Sequence, residues 1–261
     1  MVDKFTTSFV KPVSLREWYT TPIGQSYQRS EARLLSKALA SNFRSSVLQI
    51  DQVGWENEFH QAMRFAHYTI VDLHPDLDDK YAHVMGLADE IPIDTHSVDI
   101  VILPHTLEFN SDPHQVLREV HRVLKPEGIV MLLGFNPWSL WHLPRFLPKA
   151  KNKIPWNGGF ISRSRAIDWL KLLNFKIEKN NGCCFLPVTK YQSSSKLHQL
   201  LDSIGIYLPI LPAAYFIMGV KRVSVSNSVF NLKDLRNRFI PPITKTANSR
   251  VNVKKTNKNP H

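Results

Sequence analysis

The sequence predicts an α/β chain: a doubly wound, mostly parallel sheet of seven strands with helices on both faces. Three observations predict it. Apolar runs of strand length alternate with longer segments of helical periodicity. The clearest run, Val98 to Leu103, is apolar except at Asp99, as suits a strand covered on both faces. Of the 261 residues 43% are hydrophobic, enough to bury one large core.

Residues 1–45 read as a helical lead-in, with Leu34, Leu35, Ala38, Leu39 and Phe43 at helical spacing. Val47 to Ile50 is the first strand and Trp55 to Ala66 a helix. Thr69 to Asp72 is the second strand, stopped by His74-Pro75, and Tyr81 to Met85 the third. After the fourth strand, at 98–103, Asp112 suits a helix N-cap and Pro113 its first turn. Val116, Leu117, Val120, Val123 and Leu124 make the apolar stripe of that helix, and Lys125-Pro126-Glu127-Gly128 ends it. Ile129 to Phe135 is the fifth strand. A helix from Ser162 and strands at Phe175 to Ile177 and Ala214 to Val220 close the sheet. The main domain is thus expected over 46–222. Within it, 138–160 is rich in proline and tryptophan and is expected to form a lid-like insertion.

The net charge of +11 is unevenly placed. From Lys221 onward there are ten Lys/Arg and one acid, whereas the preceding 220 residues carry 23 and 21. Residues 223–261 therefore read as a basic, disordered tail that could contact nucleic acid or an anionic membrane. Cys183 and Cys184 are adjacent and form no CxxC pair, so they read as buried thiols in a reducing, cytoplasmic setting. No signal peptide is read at the N-terminus, and the run Ser203 to Val220 is short and proline-broken, so no transmembrane segment is expected. His114 and His121 share a helix face without a third ligand, so no metal site is read.

In doubly wound sheets ligands sit outside the carboxyl ends of the strands. Asp72 ends the second strand some twenty residues after the first, where an acid can accept hydrogen bonds from both hydroxyls of a ribose. Three blocks follow: Gly86-Leu87-Ala88-Asp89-Glu90-Ile91-Pro92-Ile93, Ser97-Val98-Asp99-Ile100-Val101, and Arg118-Glu119-Val120-His121-Arg122-Val123-Leu124-Lys125-Pro126-Glu127-Gly128. Over about residues 45 to 135 they resemble the type-11 family of class I S-adenosylmethionine-dependent methyltransferases, whose fold is Rossmann-like. The resemblance implies that Asp72 holds the ribose of S-adenosylmethionine and that Leu87, Ala88 and Asp89 flank its adenine. Leu103, Pro104 and His105 would line the floor under its methionine part. The third block would be scaffold.

The family's first motif, V-L-D-x-G-x-G-x-G, falls on Val47-Leu48-Gln49-Ile50-Asp51-Gln52-Val53-Gly54-Trp55. Gln49 replaces the acid, and Asp51 and Val53 replace two glycines. The expectation is a rebuilt loop, with Gly54 at the close approach, Gln49 lining it and Asp51 taking the cofactor's ammonium. Methyl transfer needs positioning more than a dyad. His105, just after the fourth strand, is the candidate base. The activity expected is methyl transfer to a small or lipid-like acceptor. The alternative is a non-catalytic module on the same fold whose tail binds RNA or anionic lipid.

Overall fold

The computed structural model describes residues 11–42, 44–60, 66–74, 81–139, 158–184 and 212–222. Two helices lead in, α1 (Lys11–Tyr19) and α2 (Pro22–Ala40). Then follow β1 (Ser46–Ile50), α3 (Asn57–His60), β2 (His67–Asp72), β3 (Ala82–Met85) and β4 (Val98–Pro104). Next come α4 (Thr106–Phe109), α5 (Pro113–Val123), β5 (Leu124–Phe135), α6 (Arg163–Leu172), β6 (Phe175–Cys183) and β7 (Ala214–Lys221).

The seven strands form one sheet in the order β3-β2-β1-β4-β5-β7-β6. Neighbours from β3 to β5 are parallel, and β7 runs antiparallel to both β5 and β6. The chain winds outward from β1 to β3 and then restarts at β4 on the other side. The β1–β4 boundary is therefore the switch point, where such sheets take their ligands.

Alternation along each strand sorts the core into two layers. Val47, Ile70, Ile100, Ile102, Met131 and Leu133 pack with Leu15 and Tyr19 of α1, Leu35 of α2 and Phe59 of α3. Leu48, Ile50, Val71, Val101, Leu103 and Leu132 pack with Val116 and Val120 of α5 and Ala166 and Leu170 of α6. The same parity aims Gln49 of β1 and Asp72 of β2 into the first layer.

Asp112 caps α5 by accepting from the Gln115 amide at 3.0 Å, as its sequence position predicts. The fifth strand starts earlier than expected, at Leu124 directly after α5, because Pro126 favours extended backbone at Lys125. The strand at 175 runs on to Cys183, paired with β7 on both sides of a register shift at Glu178. The lead-in is two helices rather than one run, because Pro22 holds Thr21 extended (ψ 155) and starts a new helix. The helix expected from Trp55 begins at Asn57, and 61–65 lie outside the described residues, as do most of 138–160 and all of 223–261. No helix among the described residues is long and apolar enough to cross a membrane.

Helices α1 and α2 cross closely at Gly24. A Cβ there would lie 2.1 Å from Trp18 O and 2.6 Å from Tyr19 Cα, so the crossing admits only glycine. Gly24→Ala should lower stability by about 1–3 kcal/mol through overpacking. Denaturant unfolding checks this, and an unchanged midpoint would contradict the packing.

Candidate functional site

The loop after β1 is the centre of the site. Asp51 adopts the left-handed conformation (φ 66), as does Gly54 (φ 85). Aspartate tolerates this region better than most residues, so the backbone turn survives without glycine at 51. Gln49 is fully buried and donates from Nε2 to Asp51 O and to Glu56 Oε1, each at 2.9 Å, while accepting from Tyr68 Oη. Glu56 Oε1 also accepts the Val53 amide at 2.7 Å and the Gly54 amide at 3.2 Å. The acid missing from β1 is thus supplied from seven residues downstream, with Gln49 as the bridge.

Asp72 closes the other side of the loop. Its carboxylate is fully buried, Oδ2 accepting the Gln52 amide at 2.8 Å and Oδ1 the His74 amide at 2.7 Å. Its carbonyl takes the Gly86 amide at 3.2 Å, which draws the 86–89 segment alongside. Burial, with the Asp72 charge beside it, pushes the Asp51 carboxyl up to about 7, against the pull of the Thr106 hydroxyl and the Arg16 guanidinium. Arg16 of α1 approaches Asp72 Oδ2 at 3.5 Å and lies beside Gly54.

Leu87, Ala88 and Asp89 follow Gly86, with Ala88 and Asp89 buried. Gly86 is fixed by contact, since a Cβ would lie 2.5 Å from Pro92 Cδ. The third block holds this segment in place. Glu119 accepts the Ile91 amide at 3.1 Å, and Arg122 donates to Ile91 O at 2.7 Å and Ile93 O at 2.9 Å. Pro104 ends β4 opposite Leu133, and Thr106 Oγ1 donates to Ile50 O at 2.9 Å, tying the β4 end to the β1 end. Gln49, Asp51, Gly54, Asp72, Leu87, Ala88, Asp89 and Pro104 therefore all lie at or just past the carboxyl ends of β1 to β4. Among the described residues no three potential metal ligands cluster.

Residues 53–132 match a family model described as methyltransferase domain. The chain is 29% identical over 207 residues to YafS of Escherichia coli K12, an uncharacterized protein, covering 78% of this chain and 80% of that one. It is 32% identical over 87 residues to the ubiquinone/menaquinone biosynthesis C-methyltransferase UbiE of Rubrivivax gelatinosus, 32% of this chain and 35% of UbiE. A solved S-adenosylmethionine-dependent methyltransferase of Thermotoga maritima, a possible histamine N-methyltransferase, superposes with TM-score 0.60. It is 18% identical over 84% of this chain and 100% of its own. The chain thus resembles methyltransferases over its central part and shares the fold of S-adenosylmethionine-dependent methyltransferases.

His105 makes its contacts with Glu31, Glu108 and Phe135 rather than with the loop after β1. It is fully buried in a left-handed conformation (φ 60), with Nε2 3.0 Å from Glu31 Oε1 and its ring stacked on Phe135 at 3.9 Å. Glu108 Oε1 lies 3.8 Å from Nδ1, and Tyr19 Oη donates to Glu31 at 2.7 Å. Burial alone would lower its pKa. The Glu31 charge leads the opposing effects, joined by Glu108, and raises it to about 9. At neutral pH the imidazole is protonated and holds α2 to the β4 end. Sequence reasoning passed over Glu31, Glu56 and Arg16. Glu56 alone left a local signal, an acid two residues after Gly54.

His105 titrates near 9 folded and near 6.5 unfolded. Its stabilisation is complete below about 6.5 and is lost as pH rises through about 9. Denaturant unfolding at pH 6.5 and 9 should show this loss in the wild type, and His105→Gln should remove most of it. Equal pH dependence in both proteins would contradict a charged His105.

Proposed function

We propose that this chain is an S-adenosylmethionine-dependent methyltransferase acting on a small or lipid-like acceptor. One observation carries the reading: a fully buried carboxylate, Asp72, ends β2 beside a left-handed turn at the switch point. An ionised carboxylate offers about four acceptor positions. Backbone amides take two of those on Asp72, and the contact on its Arg16 side is long. Two ribose hydroxyls fit the acceptor capacity left once Arg16 withdraws.

Bound there, the cofactor supplies a methyl group activated by its sulfonium. The chain's own residues bind and orient. Asp72 would accept from the ribose hydroxyls, Ala88 and Asp89 would flank the adenine, and Asp51 would face the ammonium. Leu87 and Pro104 would line the walls, and Gln49 and Glu56 keep the loop in shape. His105, charged and paired, positions the β4 end and takes no proton.

Support for a small or lipid-like acceptor comes from a cavity of about 590 Å³ beyond the carboxyl end of β5. Asn136, Trp138, Arg163, Ile167 and Asn180 line it, a mix of aromatic, aliphatic and hydrogen-bonding surface. Asn136 directly follows β5, the strand that pairs with β4, so the cavity starts one strand away from β4.

Calorimetric titration with S-adenosylhomocysteine tests the reading. The wild type should bind saturably. Asp72→Asn, which keeps one acceptor oxygen but no charge, should bind at least about tenfold more weakly, by loss of charge-assisted hydrogen bonds. Absence of saturable binding at millimolar ligand would overturn the proposal.

A further inference from the structure

Arg16 has the geometry of a group that changes partners. Its guanidinium lies among three acceptors: Nε donates to Gln52 O at 3.2 Å, and Nη2 reaches His74 O at 3.3 Å and Asp72 Oδ2 at 3.5 Å. Charge-assisted hydrogen bonds run at about 2.7–2.9 Å, so all three contacts are loose. The backbone amides on the same carboxylate are tight by comparison, at 2.8 and 2.7 Å. The amides are structural partners of Asp72, and Arg16 is the exchangeable one.

The stem of Arg16 is placed as tellingly as its head. A Cβ on Gly54 would lie 3.4 Å from Arg16 Cγ and 3.6 Å from Cδ, so the side chain rests over the open side of that glycine. That face of Gly54 adjoins the loop whose Gln52 amide holds Asp72. The side chain is about one-fifth exposed, so α1 presents it at the edge of the site rather than inside the core. The same guanidinium also acts on Asp51, pulling that carboxyl down against burial. One cation thus faces two carboxylates, and the trio has the charge pattern that complements a nucleoside carrying a zwitterionic amino acid.

Displacing Arg16 from Asp72 has a cost. A partly buried guanidinium that loses a carboxylate needs another anion nearby. A ligand whose ribose takes Asp72 and whose tail bears a carboxylate provides one, and a ligand without that carboxylate does not. We propose that Arg16 exchanges Asp72 for the α-carboxylate of the bound nucleoside amino acid, and so makes the site select ligands that carry this group. The inference rests on the cofactor reading above and adds to it a specificity-determining residue on α1.

Calorimetric titrations of the full chain with S-adenosylhomocysteine and with 5′-methylthioadenosine, which lacks the amino-acid carboxylate, test it in the wild type, Arg16→Gln and Arg16→Lys. The wild type should prefer S-adenosylhomocysteine by about tenfold or more, the worth of one charge-assisted contact. Arg16→Gln should weaken S-adenosylhomocysteine by about tenfold and leave 5′-methylthioadenosine unchanged or tighter, so that the preference collapses. Arg16→Lys, which keeps the charge but not the fork, should restore part of it. Equal tightening of both ligands in Arg16→Gln would make Arg16 a mere obstruction, and equal weakening a mere support of the loop; either overturns the exchange while leaving the cofactor reading intact. If neither ligand binds the wild type or either variant, and circular dichroism shows all three folded, the cofactor reading fails and the exchange with it.

Discussion

The carboxylate of Asp72 is the interaction on which the rest of the site depends. A buried charge is costly unless it is fully engaged by hydrogen bonds. Asp72 meets that condition by accepting amides from the loop after β1 and the turn after β2, while its own carbonyl takes an amide from the start of the 86–89 segment. One side chain thereby fixes the mutual positions of three segments at the carboxyl edge of the sheet. Strand parity decides where it points: Tyr68 and Ile70, on the same side of β2, lie in the core beneath the N-terminal helices. Asp72 therefore meets α1, and Arg16 is the α1 residue that reaches it.

The first loop shows that a backbone shape can outlast its usual residues. Glycine is favoured in such a turn because it adopts positive φ without strain. Asp51 holds the same conformation, and the Gln49–Glu56 relay gathers the amides of Val53 and Gly54 that would otherwise be left unpaired. Val53 and Trp55, which look ill suited to a cofactor loop, belong to the apolar core with Phe59 and Leu35. What stands over the open face of Gly54 is instead Arg16, from another helix.

The fold was legible in the sequence because its signals are local. All seven strands, the N-cap at Asp112 and the alternation of strand with helix follow from runs and spacings that one chain segment carries by itself. The position of Asp72 at a strand end was legible for the same reason. The partners were not. Glu31 meets His105 across 74 positions and Arg16 meets Asp72 across 56, and no periodicity reports such distances. His105 illustrates the consequence: from its place after β4 it reads as a base, yet Glu31 and Glu108 hold it charged. Glu56 was passed over because its work is done through backbone amides, whose direction depends on a turn that the sequence alone did not specify.

We propose that Asp72 receives a ribose in place of Arg16. A crystal structure of the chain soaked with S-adenosylhomocysteine tests it most directly. Both ribose hydroxyls should lie within hydrogen-bond distance of the Asp72 carboxylate, with the Gln52 and His74 amides still in place and the Arg16 guanidinium moved off Oδ2 onto the ligand's carboxylate. A ligand bound elsewhere, with Arg16 still against Asp72, would contradict it.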